Sequence, residues 1–76
     1  MTSTNDTTSR LSILRLKQLL ERTGLKKSTV YDKLNPRSPR YDDSFPKQIH
    51  VSAGIVGWID REVDAWILSK IEASRV

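Results

Sequence analysis

The chain of 76 residues contains no cysteine, so neither a disulfide nor a thiolate zinc site can staple it. It has one histidine, His50, no glycine-rich phosphate loop and no paired carboxylates with a base beside them, which leaves no constellation for catalysis. No cofactor or metal is expected. There is no apolar run of about 18 residues and no hydrophobic signal core near Met1, so a cytoplasmic protein with no membrane partner is expected. Aromatic residues are few: two Trp, two Tyr and one Phe. A chain of this length buries only about 60% of the surface its unfolded form exposes. Trp58 and Trp66 are therefore expected in a thin core rather than on a partner surface.

What is present is positive charge. Thirteen Lys and Arg against nine Asp and Glu give a net charge of +4 and a pI near 9.8. That balance suits a nucleic-acid partner, although many small domains reach it without one. Residues 1–10 (MTSTNDTTSR) carry no apolar residue after Met1 and read as a disordered tail. Residues 11–76 then form one domain.

The organising stretch is LKQLLERTGLKKSTVYDKL, Leu16 to Leu34. Leu16, Leu19, Leu20 and Thr23 share one helical face, which predicts a first helix over about 16–22. Val30, Tyr31 and Leu34 give a narrower stripe and a second helix over about 27–34. Between them Gly24 can take the left-handed conformation past a helix end, and Leu25 can plug the gap. Helix, glycine turn and helix make a helix-turn-helix signature. Lys26 stands where a capping Ser or Asp is expected, with the wrong charge for the helix dipole. The arrangement makes sense if the free N–H groups and the cation both face a phosphate; the alternative is that Ser28 caps a slightly later helix.

Ahead of this stretch, Ile13 and Leu14 are expected to pack beneath the helix-turn-helix, as a very short strand or an extended arm. After it, NPRSPRYDDSFP holds all three prolines and must be a loop, with Tyr41 and Phe45 as anchors pinning it to the body. KQIHV and IVGWI, separated by Ser52-Ala53-Gly54, read as a hairpin with Val56 and Trp58 pointing inward. Asp60 is expected to cap a last helix, with Glu62 and Asp64 in its acidic first turn and Val63, Trp66, Ile67 and Ile71 on its apolar face. The fold class is mainly α with a small β-hairpin: helix, helix, hairpin, helix, or a winged helix-turn-helix.

ILRLKQLLERTGLKKSTVY (Ile13–Tyr31), FPKQI (Phe45–Ile49) and VGWIDREVDAWI (Val56–Ile67) resemble the AlpA family of small phage and prophage regulators, over roughly residues 13–72. Members of that family are similar to the winged helix-turn-helix domains of the MerR superfamily and to phage excisionases. The resemblance implies a DNA-binding transcriptional regulator that controls integrase expression or acts directly in excision. The family usually has a Ser or similar cap where this chain has Lys26. It commonly places an Arg near the hairpin turn, where this chain has Ala53, Gly54 and Ile55. The wing tip is thus uncharged, leaving Lys47 and His50 on its flank as DNA candidates.

Recognition helices present their N-terminal residues to base edges. Lys27, Ser28 and Thr29 are accordingly the candidate base or near-base contacts, with Lys26 as a DNA-binding cation next to the groove. Lys27 suits guanine O6 and N7, and the Thr29 methyl suits thymine. Lys33 is a candidate for phosphate, Tyr31 for phosphate through its hydroxyl or for half-burial beside Leu34, and Arg37 and Arg40 for a backbone clamp. Asp32 is expected to pair with a neighbouring cation or receive a cytosine amine. Arg15, Lys17 and Arg22 are weaker candidates on the first helix. A solvated charged face is the plain alternative for these cations.

Three functions compete: a transcriptional regulator of a mobile element, an excisionase-type directionality factor that bends DNA and recruits integrase, and a protein-interaction adaptor that binds no DNA. The expected partners are double-stranded DNA, with integrase or RNA polymerase beside it, and a weak or DNA-dependent second copy. A module this small reads only a short stretch of duplex.

Overall fold

The computed structural model describes residues 11–75, and the proposed N-terminal tail lies outside the described residues. In chain order the elements are β1 (Ile13–Leu14), α1 (Leu16–Thr23), α2 (Lys27–Leu34), β2 (Ile49–Ser52), β3 (Ile55–Ile59) and α3 (Asp60–Ser74). All three strands join one antiparallel sheet in the order β1-β3-β2. The architecture is the winged helix-turn-helix expected from the sequence, with one strand more than the hairpin alone supplies.

The first helix forms because its apolar row is buried on one side, with Leu19 fully buried and Leu16 and Leu20 packed around it. Its start is held by the Gln18 amide oxygen, which accepts the Arg15 N–H at 2.9 Å. Its end closes at Gly24, whose φ of 74° is the left-handed region that suits glycine and whose N–H donates to the Leu20 carbonyl at 2.8 Å. Thr23 stiffens the turn: its hydroxyl donates to the Leu19 carbonyl at 2.9 Å and accepts the Leu25 N–H at 3.3 Å. The angle between α1 and α2 is therefore set by local bonds as well as by the core.

That core is Leu19, Val30, Phe45, Trp58 and Val63, contributed by all three helices, the long loop and β3. Leu14, Leu25, Leu34, Trp66 and Ile67 pack at its margin. Phe45 is the loop anchor expected, and its ring meets Trp66 edge-to-face at 5.0 Å. Tyr41 is not an anchor. It stays exposed, donates its hydroxyl to Asp43 at 3.2 Å and carries the Lys47 ammonium over its ring at 5.4 Å. Two residues after Pro39, it lies on the loop's outer side, where a neighbouring cation covers it instead of the core.

On β3 the pleat alternates as expected. Trp58 is fully buried and Val56, on the same face, half-buried. Leu14 packs inward beside Trp58, but Ile13 does not reach beneath the helix-turn-helix. It pairs with Ile59, lies on the outer face of the sheet and is 41% exposed. There its side chain covers Gly57. A Cβ at Gly57 would collide with Ile13 Cγ2 and lie 3.0 Å from the Leu14 carbonyl oxygen, which is part of the backbone and cannot move cheaply. Gly57→Ala is expected to destabilise the fold by about 1–3 kcal/mol, read as a lower urea midpoint with an unchanged slope. An unchanged midpoint would show that β1 is not held against β3.

Asp60 is the first residue of α3 and not its cap, a position that Ile59 occupies. Its carboxylate reaches back to the start of the domain, accepting the Ser12 N–H at 3.1 Å and hydroxyl at 2.8 Å, while its own N–H donates to the Ser12 carbonyl at 2.9 Å. The Ser12 N–H is the largest cause of an Asp60 pKa held below its ordinary 3.8. Asp64 falls outside the first turn and pairs with Arg22 at 3.5 Å, tying α3 to α1. Of the expected apolar stripe, Val63 is buried and Trp66 and Ile67 half-buried, while Ile71 remains 38% exposed. No described helix is long and apolar enough to cross a membrane.

Candidate nucleic-acid interface

The second helix has two full turns, so its eight residues fall into four i, i+4 rows. Val30 and Leu34 form the inward row, buried and half-buried. Thr29 and Lys33 form a half-buried flank. Lys27 with Tyr31, and Ser28 with Asp32, make the two rows that face outward, with only Asp32 half-buried among them. Lys26 stands at the N-cap position in extended conformation (φ −84°, ψ 157°), and no side chain caps the helix. The first helical bond runs from the Val30 N–H to the Lys26 carbonyl at 3.0 Å, so the Lys27, Ser28 and Thr29 N–H groups have no acceptor within the helix. No acidic residue lies in the first turn. Three free donors, two exposed ammonium groups and a hydroxyl therefore share one end of α2.

This end violates ordinary helix design. An Asp at position 26 would accept one of the free N–H groups and oppose the dipole favourably. Lys26→Asp is expected to stabilise the domain by about 0.5–1.5 kcal/mol while weakening duplex binding. Thermal unfolding and a binding titration on the same sample check both signs; a variant that gains stability and keeps its affinity would separate Lys26 from the interface.

The remaining candidates are distributed around this end. Arg40 lies 3.9 Å from Asp32, so the acid on the outward face has a cation across it from the loop. Arg37 is exposed, its backbone N–H held by the Asn35 side-chain oxygen at 3.0 Å. Lys47 is engaged by Asp43, at 3.7 Å from the carboxylate and 3.2 Å from the carbonyl oxygen. His50 is exposed on β2, and Ala53 and Gly54 form the uncharged wing tip, with Gly54 at φ 72°. Lys33 turns toward the body, with a side chain only 22% exposed, 4.0 Å from Asp42.

Asp42 is the residue that the sequence did not single out. Its N–H donates to the Lys33 carbonyl at 3.0 Å, satisfying one of the free carbonyls at the end of α2. Its carboxylate accepts the Ser44 N–H (2.9 Å) and hydroxyl (2.6 Å) and the Trp66 indole N–H (3.3 Å). Lys70 stands 3.6 Å away. The Ser44 hydroxyl is the largest cause that lowers its pKa, from 3.8 to about 2, against the opposing effect of burial. A carboxylate with a depressed folded pKa adds stability above its unfolded pKa and loses it as pH falls toward the folded one. Stability is accordingly expected to hold down to about pH 4 and to fall between about pH 4 and 2. In Asp42→Asn that acid limb should be shallower, the remainder belonging to Asp60; urea midpoints across the range check it.

The fold is that of a winged helix-turn-helix domain, with the uncapped end of α2 exposed among the described residues. The family model described as Prophage CP4-57 regulatory protein (AlpA) matches residues 12–71. Over 59 residues the chain is 48% identical to the DNA-binding transcriptional activator AlpA of Escherichia coli (strain K12), a match covering 78% of this chain and 84% of that protein. The chain belongs to the AlpA family, and so is a regulatory protein rather than an enzyme. No solved structure matches it.

Proposed function

We propose that this protein is a DNA-binding transcriptional regulator of a phage or prophage-like element that controls integrase or excision genes, acting in the cytoplasm on double-stranded DNA. The observation that carries the reading is the uncapped, cationic N-terminus of α2. Lys26, Lys27 and the free N–H groups suit phosphates at the groove edge, while Ser28, Thr29 and Tyr31 suit the bases and backbone within reach. Arg40 offsets Asp32 on the outward face, with Arg37 beside it at the loop, and Lys47 and His50 flank the wing. The similarity to a protein named as a transcriptional activator supports regulation over an adaptor role.

A single module of this size contacts little DNA, so two or more copies on repeated half-sites are expected, associating weakly or only on DNA. Footprinting on the element's integrase region tests both points. Protection of two or more repeated sites beside the promoter is expected, with RNA polymerase then the natural protein partner. Protection confined to a recombination arm would instead favour an excision factor working with integrase, and no protection anywhere would overturn the DNA reading.

A further inference from the structure

One carboxylate in this fold serves two cations from two different helices. Asp42 Oδ2 lies 3.6 Å from Lys70 Nζ on α3 and 4.0 Å from Lys33 Nζ on α2. Both ammonium groups also lie over the Trp66 ring, at 5.4 Å and 5.6 Å from its centroid. Asp42 itself is fixed by Ser44, by the Trp66 indole and by its backbone bond to α2, so it cannot follow a cation that leaves. The charges do not balance one to one: a single acid is faced by a cation too many. Lys33 has the longer separation, at the outer limit of an ion pair, and belongs to the flank of the helix whose open end faces away from the body.

We propose that Lys33 is a transferable cation, resting on the reading of α2 as the DNA-contacting helix. In the free protein Asp42 and Trp66 hold it. On duplex DNA it moves to a phosphate at the groove edge, and Lys70 keeps Asp42 neutralised. The four-carbon stem of lysine permits the swing, and its compact ammonium makes the same point-charge contact in either place. Lys70 is essential to the exchange. Without it, departure of Lys33 would leave a half-buried carboxylate unpaired, which is a costly state. Lys70 and Asp42 are thus positioning residues for a contact that neither of them makes.

The test is a double-mutant cycle on the full chain with duplex DNA from the element's integrase region, titrated by fluorescence anisotropy across a salt series. Urea midpoints confirm that each variant is folded. Lys33→Met is expected to lower the slope of log K against log salt by about 0.9, the loss of one phosphate contact. Lys33→Arg should restore it. Lys70→Met should weaken binding several-fold in the wild-type background and have no further effect in Lys33→Met, because it acts only through Lys33. Asp42→Asn should return the affinity that Lys70→Met removes. An unchanged slope in a folded Lys33→Met overturns the proposal, as does a Lys70→Met effect that adds to that of Lys33→Met, which would place Lys70 itself on the DNA. A wild type that binds no duplex removes the proposed function and this exchange together; wild-type binding with an unchanged Lys33→Met slope removes the exchange alone.

Discussion

Trp58→Ala abolishes the cooperative unfolding transition of this domain, or shifts it to the edge of measurement at 25 °C. Trp58 is fully buried on β3, within the cluster of Leu19, Val30, Phe45 and Val63 that joins the helices to the sheet. Truncating a buried Trp costs about 3–5 kcal/mol, because the void left behind is not refilled by rigid neighbours. A core of this size, with no cysteine to form a disulfide, supplies roughly the same amount in total. Trp58→Phe tells the packing effect from a polar one. The Trp58 Nε1 has no hydrogen-bond partner among the described residues, so replacing the indole by a phenyl ring sacrifices contact area and no bond. It is expected to cost about 1–2 kcal/mol, with a clear two-state transition. Urea unfolding followed by far-UV circular dichroism checks both. A Trp58→Ala variant with a normal midpoint would mean that the core lies elsewhere.

Lys27→Glu should separate stability from binding. Lys27 is exposed at the first position of α2, next to three N–H groups without helical acceptors. A carboxylate there favours the helix dipole, so the fold is expected to gain about 0.3–1 kcal/mol. In the proposed complex with DNA the same change replaces a cation at the phosphate or guanine contact with an anion. Loss of one good contact costs about 1–3 kcal/mol, and repulsion adds to it, so duplex affinity should drop by roughly 100-fold or more. A variant that is more stable and yet inactive is hard to explain by misfolding. A variant that is more stable and binds normally would take α2 out of the interface.

The helix-turn-helix was legible because each of its determinants is local. The Leu16, Leu19, Leu20 row, the left-handed Gly24 and the stripe at Val30 and Leu34 are all set within a few residues. The hairpin was legible for the same reason, through its alternation and its turn at Gly54. What the sequence hid is long-range. β1 spans two residues, too few for an alternation pattern, so the sequence left a very short strand and an extended arm both open, and the edge of β3 decides for the strand. Asp60 resembles a helix cap in sequence, but its carboxylate is drawn away by Ser12, 48 residues earlier. Asp42 stands in a polar loop with no neighbouring signal, and its partner Trp66 comes 24 residues later. Lys33 looks like any exposed lysine in the sequence; its inward turn follows from Asp42 and Trp66, which only the fold brings to it.

Whether the open end of α2 reads DNA is decided by fluorescence anisotropy of wild type and Lys27→Glu on duplex from the integrase region over a range of salt. For the wild type, binding should weaken steeply with salt, with a log–log slope near −0.9 for each phosphate contacted, and Lys27→Glu should lose it at every salt concentration. Equal affinities and equal slopes for the two proteins would take α2 off the DNA, because a surface whose charge can be reversed without consequence is not the surface that meets the duplex.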